Sequence, residues 1–427
     1  MTTFKKMWKN VSLRRKILFT LMIFVVYRIG SYIPVPGINT TVLNAAFDNT
    51  SVLAFVDALS GGALARFSLF AMGISPYITA SIVIQLLQMD VVPILSEWAK
   101  EGESGKRKLN QLTRYMALIF AFTQAMAMSI GFNLMQGGVL LDSNEIWIYL
   151  YMSLVLTAGT AIMLFLADQI TSKGIGNGTS MIIVAGIISR IPLMIMDLYR
   201  SYLTDITLFN VLSVVAILAI LVLMIIAVVY LQSATRRIPI QYANRHNSAQ
   251  LTGRKDSFIP LKLNSAGVIP VIFAVSLISL PLTIVSFFPQ NRFANILQAI
   301  FDNTQPIGFV LYVALIIAFT YFYAFVQVSP EKVAENLKKQ GSYIPGVRPG
   351  LDTEEYISKV LSRITFIGAI YLVVIACLPI ILGVMTDLPG SIQIGGTSLL
   401  IVVGVAIETA KQIQTKTMDQ KYKGFIK

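Results

Sequence analysis

The sequence predicts an all-α polytopic membrane protein of ten transmembrane helices, and three observations predict it. The 427 residues are 55% hydrophobic and only 13% charged, with a mean hydropathy of +0.71, far more apolar material than a soluble chain of this length needs. That material is gathered into ten runs, each near the ~17–25 residues that a spanning helix requires. The basic residues alternate with the runs: all of the 34 Lys and Arg except Arg28, Arg66, Arg190, Arg200 and Arg292 fall at the two ends or in every second loop. This is the positive-inside pattern, and it places both termini in the cytoplasm. No cleavable signal peptide is expected, because the first run continues through IPVPG without a small-residue cleavage pattern.

The first run, Ile17–Ile33, carries Arg28 near its outer end, where a long side chain can snorkel to the interface. Next comes SGGALARFSLFAMGISPYITASIVIQLLQ, Ser60–Gln88, which looks like a helix that begins twice. Gly73–Met89 is an uncharged span, and the dozen residues ahead of it are apolar but too short to cross. Gly61 and Gly62 open that piece, and Gly73 and Pro76 cut it off, so a half-helix, a hinge and a whole helix are expected. Its small Ala63, Ala65 and Ser68 predict a weakly held segment. Tyr115–Leu134 and Trp147–Leu166 follow. Then KGIGNG, Lys173–Gly178, makes a tight turn whose glycines and Asn177 release one helix and start the next, Ser180–Met196. Phe209–Leu231, Ala266–Phe288, Ile307–Val328, Ile364–Leu382 and Thr397–Ile413 complete the set. The chain divides near Tyr199–Leu208 into residues 1–205 and 206–427, with five spans each. An odd number per half puts the halves in opposite orientations, the arrangement of an inverted pair.

Two inside loops are longer than a connector needs. In residues 232–265, IPIQYA and SFIPLKL can pair as extended arms around a polar tip. In residues 329–363, SPEKVAENLKKQG has serine at the N-cap, proline at the first helical position, early glutamate and late lysines, which spell a short helix. GSYIPGVRPG then presents Arg348 from a stiff turn. The net charge of +13 gathers on this side, suited to anionic lipid or to an acidic or phosphate-bearing partner.

Several chemistries lack residues to carry them. Cys377 is the one cysteine and His246 the one histidine, so the sequence offers no disulfide and no His/Cys metal site. KGIGNG follows a membrane span rather than a strand and lacks the phosphate-loop spacing. No cofactor is expected, and no nucleophile, metal site or acid pair can be assembled for an enzyme. An ion-coupled secondary transporter with broken helices is the alternative from another class, and its usual midplane carboxylates are missing from the runs. Glu408, about two turns from the inner end of the last run, is expected to pair with a nearby base. Isoleucines stand beside helix-loosening positions: Ile74 and Ile78 around Pro76, Ile183 after GIGNG, Ile272 after Pro270, and Ile401 after GGTSLL.

These same residues carry a resemblance. SGGALARFSLFAMGISPYITASIVIQLLQ, EGESGKRKLNQLTRY, GIGNGTS, LNSAGVIPVIF, NLKKQGSYIPGVRPG and GGTSLLIVVGVAIE resemble, in unbroken order, the SecY family of protein-conducting channels. The resemblance implies a clam-shell of two inverted five-helix halves around an hourglass pore in the bacterial plasma membrane. Unfolded secretory polypeptides would cross it, and transmembrane segments would leave sideways into lipid. It implies a pore ring of Ile74, Ile78, Thr179, Ile183, Ile272 and Ile401, with Thr179 departing from an all-aliphatic ring. It makes the half-helix of about 60–71, with Gly61, Gly62, Ala63, Leu64, Ala65, Arg66 and Phe67, a re-entrant plug. It sets Gln85 and Asn264 on the facing edges of a lateral gate, where hydrogen bonds would hold the gate shut. Arg236, Arg237, Arg254, Lys255, Lys338, Lys339 and Arg348 would dock the SecA motor ATPase or a ribosome. SecE and SecG are the implied small membrane subunits, and signal sequences and anionic lipids the remaining partners.

Overall fold

A computed structural model describes residues 10–38, 57, 60–89, 91–135, 145–202, 208–242, 257–286, 292–302, 305–386 and 390–423. Each of the ten apolar runs coincides with a helix. These are α1 Val11–Gly30, α2 Ser75–Leu87, α4 Glu103–Met135, α5 Ile146–Lys173, α6 Gly178–Tyr202, α7 Leu208–Ser233, α8 Ile269–Ser286, α10 Pro306–Val328, α12 Leu351–Thr386 and α13 Gly390–Lys423. Among the described residues, three short helices lie between them: α3 Pro93–Lys100, α9 Arg292–Phe301 and α11 Pro330–Lys339. Among the described residues, five stretches are long and apolar enough to cross a membrane: Ile146–Lys173, Gly178–Arg200, Val211–Ser233, Pro306–Lys339 and Leu351–Gly383. Ser75–Leu87 and Ile269–Ser279 are shorter apolar helices. The outward faces are apolar too. Leu212, Val215, Leu218, Val222, Leu223 and Ile226 of α7 are all exposed, as suits a helix whose solvent is hydrocarbon.

Backbone chemistry sets the ends. Asn10 caps α1, its side-chain oxygen accepting from the amides of Ser12 at 3.2 Å and Leu13 at 3.4 Å. The turn between α5 and α6 is closed by Asn177, whose Oδ1 accepts from the Thr179 amide at 3.1 Å and the Thr179 hydroxyl at 2.7 Å. α11 starts where expected, but Ser329 makes no side-chain cap. That residue is left-handed, φ +41°, because its amide still closes the last turn of α10 on the Phe325 carbonyl. One residue ends one helix and begins another.

The helices pack as two groups with a seam. α2, α4 and α5 pack in series; α8 packs on α10, α10 on α12, and α12 on α13. α6 and α7 both pack on α13, and α2 meets α8 across the seam. The largest buried apolar cluster draws on both groups, from Ile23 and Ile78 through Ile183 and Ile278 to Leu372 and Val405.

Beyond the bundle, β1 Thr235–Tyr242 pairs antiparallel with β2 Ser257–Lys262, Ile238 opposite Ile259, so the two expected arms do meet. The sequence had no sign of the third strand. β3, Ser342–Tyr343, pairs antiparallel with the far end of β1, Tyr343 opposite Gln241 and Ser342 opposite Tyr242, which gives the order β2-β1-β3. Ile238, Leu261, Leu337, Ile344, Ile357 and Ile364 form a separate small core beneath it. The two long loops are therefore one folded platform.

The expected half-helix is corrected. Over Ser60–Ile74 the chain runs as turns, with one bridge between Pro34 and Ser68. Gly61 (φ +72°), Gly62 (+83°), Phe67 (+43°) and Gly73 (+56°) are left-handed, a conformation that no helix tolerates in its interior. Side chains also take amides that a helix would use. The Asp57 carboxylate accepts from Ala65 at 2.8 Å, and the Ser60 hydroxyl from Leu64 at 3.2 Å.

Candidate functional site

The Ser60–Ile74 segment, expected to be weakly attached, is largely buried and makes several polar contacts. Gly61, Gly62, Ala63, Leu64 and Phe67 are buried, while Ala65 and Arg66 are half-buried. Ala63 and Phe70 join the large apolar cluster; Leu64, Phe67, Ala71 and Met72 pack instead with Met128, Met152 and Leu156 of α4 and α5. Gly61 needs to be glycine twice over. Its φ is left-handed, and a Cβ there would stand 2.8 Å from Ser189 Oγ and 2.9 Å from the Gly186 backbone of α6.

Polar contacts add direction to this burial. Tyr27 donates its hydroxyl to the Ser60 carbonyl at 2.7 Å. Arg28 does not simply snorkel: it donates to the Gly61 carbonyl at 2.9 Å, to Ser189 Oγ at 3.0 Å and to Tyr32 at 2.8 Å. Arg66 lies over the Tyr32 ring, 3.9 Å from its centroid. Asp57 forms an ion pair with Arg190 of α6. Burial pushes the Asp57 carboxyl above its usual range, and the Arg190 guanidinium pulls it back toward the charged form. Sequence reasoning missed this pair. Its signal was there, since Arg190 was one of five basic residues off the inside face and such a charge near apolar sequence needs a counter-ion.

Ile74, Ile78, Ile183, Ile272 and Ile401 are all buried and all belong to one cluster, although they come from α2, α6, α8, α13 and the segment before α2. Thr179 is half-buried one turn ahead of Ile183, with its hydroxyl taken by Asn177.

Beside Ile272 lies a partly polar cavity of about 200 Å³. Its polar walls include Asn177 just ahead of α6, Ser180 of α6, Lys262, Asn264, Glu408 and Lys411, and its apolar ones Val268, Ile272 and Val405. Lys411 donates to the Gln232 carbonyl at 3.4 Å. Glu408 makes no ion pair with a base among the described residues, so the expected partner is not found. Along α6 the order is cavity (Asn177, Ser180), isoleucine (Ile183), then segment (Ser189, Arg190). Thirteen residues separate Asn177 from Arg190, or ~20 Å at 1.5 Å per residue.

Gln85 and Asn264 do not bond to each other. The Gln85 amide donates to Ser81 at 3.0 Å on its own helix, and that of Asn264 to the Gly267 carbonyl at 2.8 Å. The remaining oxygen of each, Oε1 and Oδ1, is buried without a hydrogen-bond partner. Gln85 lies on α2, and Asn264 lies five residues ahead of α8, the helix that α2 meets.

The described basic residues of the platform face outward. Arg236, Arg237, Lys338, Lys339 and Arg348 are exposed; Arg237 covers the Phe258 ring at 4.7 Å, and Lys339 pairs with Glu335 at 2.7 Å. The Arg348 turn is fixed by the Thr353 hydroxyl donating to the Arg348 carbonyl at 2.7 Å. Arg254 and Lys255 lie outside the described residues.

The family profile SecY matches residues 68–410. The protein translocase subunit SecY of Bacillus subtilis is 51% identical over 418 residues, 97% of this chain and 97% of its own. Its namesake from Halalkalibacterium halodurans is 51% identical over 429 residues, covering 100% of this chain and 99% of its own. Two solved structures share the fold. A structure described as a protein conducting channel has a TM-score of 0.64 at 17% identity, with 94% of this chain and 92% of that one covered. Sec61 in a canine ribosome–channel complex from the endoplasmic reticulum has a TM-score of 0.61 at 16% identity, with the same coverage.

Proposed function

The chain belongs to the SecY family, it is a protein-translocation channel, and we propose from that premise how its residues divide the work. One observation carries the reading: along α6 a polar cavity, an apolar isoleucine layer and a buried folded segment follow one another. A polypeptide entering from the cavity would meet Ile74, Ile78, Ile183, Ile272 and Ile401 as a dry constriction, with Thr179 at its rim. A ring of aliphatic side chains closes around a chain without bonding to it and excludes water when empty. The Ser60–Ile74 segment, Gly61 through Phe67 at its centre, is the plug beyond that ring. The seam of α2 and α8 is the lateral gate, and residues 1–205 and 206–427 are the two halves that part along it.

The platform is the docking face. Arg236, Arg237, Lys338, Lys339 and Arg348, with Arg254 and Lys255, offer guanidinium and ammonium groups that suit either ribosomal phosphate or an acidic motor surface. On this reading SecA or a ribosome supplies the drive, SecE and SecG complete the membrane complex, and anionic lipids meet the basic face. The protein sits in the plasma membrane with both termini in the cytoplasm, as its basic loops require. The relatives are protein translocase subunits, which leaves the ion-coupled transporter without support.

The test is a secretory polypeptide arrested midway by a folded C-terminal domain. Photo-reactive groups placed singly at Ile78, Ile183 and Ile401 should all crosslink to it, and one at the exposed Leu223 should not. Crosslinking at Leu223 alone would move the path out of the bundle.

A further inference from the structure

The Asp57–Arg190 pair is unusual in being buried at Asp57 and half-buried at Arg190, with 3% and 19% side-chain exposure. The other five ion pairs among the described residues all lie in the open. Each Asp57 oxygen has its own task. Oδ2 meets Arg190 on α6, while Oδ1 accepts from the Ala65 amide in the middle of the segment. The carboxylate thus straps the segment's start to its middle and both to α6. Arg28 on α1 repeats the arrangement from the other side, bridging the Gly61 carbonyl to Ser189.

We propose that the Asp57–Arg190 ion pair is a latch that sets how strongly a substrate must push before the segment leaves, which makes these two residues determinants of substrate selectivity. The inference rests on reading the segment as the plug. Its physical basis is the difference between two kinds of contact. Apolar burial is non-directional and is lost by degrees as a segment slides. An ion pair is directional and charge-assisted, and it is lost in one step when the Asp57 carboxylate is drawn away from the Arg190 guanidinium. Water admitted by opening then screens both charges, so the pair is strong in the closed channel and weak in the open one. A contact with that property holds firmly at rest and does little to pull the segment back while a polypeptide is passing.

Asp57→Asn is the discriminating variant, because the amide keeps the oxygen that accepts from Ala65 and removes only the charge. In the full complex in a planar bilayer, resting ion conductance of Asp57→Asn should rise about tenfold, the factor that about 1.4 kcal/mol commands. Secretion of a substrate with a shortened apolar signal should rise with it. Arg190→Lys, which keeps a cation, should stay within about twofold of the parent on both readouts, as expected of an interaction that depends on charge. Arg190→Gln should change both readouts less when added to Asp57→Asn than when made in the parent, the coupling expected of two residues that share a pair. A chain lacking residues 60–71 is the control for the underlying reading. If that deletion leaks while Asp57→Asn is as tight as the parent, the latch is wrong and the plug stands. If both stay tight, both ideas fall.

Discussion

Glu408 is the residue that departs furthest from its expected part. It faces a cavity shared with Lys411 and Lys262, yet pairs with neither. Its charge brings the three groups to a net of one positive rather than two, a difference that matters to any cationic segment entering there. Glu408→Gln should slow translocation of substrates with Lys-rich leading segments about threefold, as expected for an exposed charge interaction of about 0.6 kcal/mol, and high salt should erase the difference. Rates compared at low and high salt check it; a salt-independent defect would assign Glu408 a packing role. At this scale the sequence was legible where one residue's neighbours along the chain decide its role. Asn177 at its turn is such a case. Asp57 and Arg190 are the opposite case: they are 133 positions apart, and no local pattern joins them. Arg28 was legible as a charge near a helix end, but its bonds to Gly61 and Ser189 come from packing.

Whole elements follow the same division. The ten runs announced their helices because hydrocarbon demands length and apolarity, both of which are written in composition. α3 and α9 were missed because eight and ten residues are too short for a span. Their signals were Pro93 at a first helical position and an apolar stripe along Arg292–Phe301. β3 was missed because a two-residue strand has no period to detect. The seam between α2 and α8 yields a prediction. The orphaned Gln85 and Asn264 oxygens each cost about 1–3 kcal/mol where they are buried, and on the proposed reading of the seam as a gate that cost favours parting. Gln85→Leu removes one such oxygen without adding bulk that needs a partner. The seam should then hold tighter, and lateral release of marginally apolar membrane segments should fall about fivefold or more, measured as the fraction integrated rather than translocated. Faster integration in the variant would mean that the oxygen is satisfied when the seam is shut.

For the whole molecule, topology is the most direct check. In a Cys377→Ser background, single cysteines at Lys106 and Arg348 should react with impermeant maleimide from one side of the membrane and one at Glu145 from the other. Labelling of Arg348 and Glu145 from the same side would break the ten-span scheme. The general architecture was legible because the bilayer restricts the choices. The contacts between helices were not, since they depend on which apolar faces meet. The three-stranded platform has a mechanical consequence. β2 ends at Lys262 and α8 begins at Ile269, and the short link between them is fastened by the Leu263 amide to Ala234 at 2.9 Å and by Ser265 to the Lys262 carbonyl at 2.9 Å. At its other edge, the sheet takes in β3, only five residues before Arg348. A load applied at Arg348 would therefore reach the start of α8 through a stiff, hydrogen-bonded sheet rather than through a slack loop.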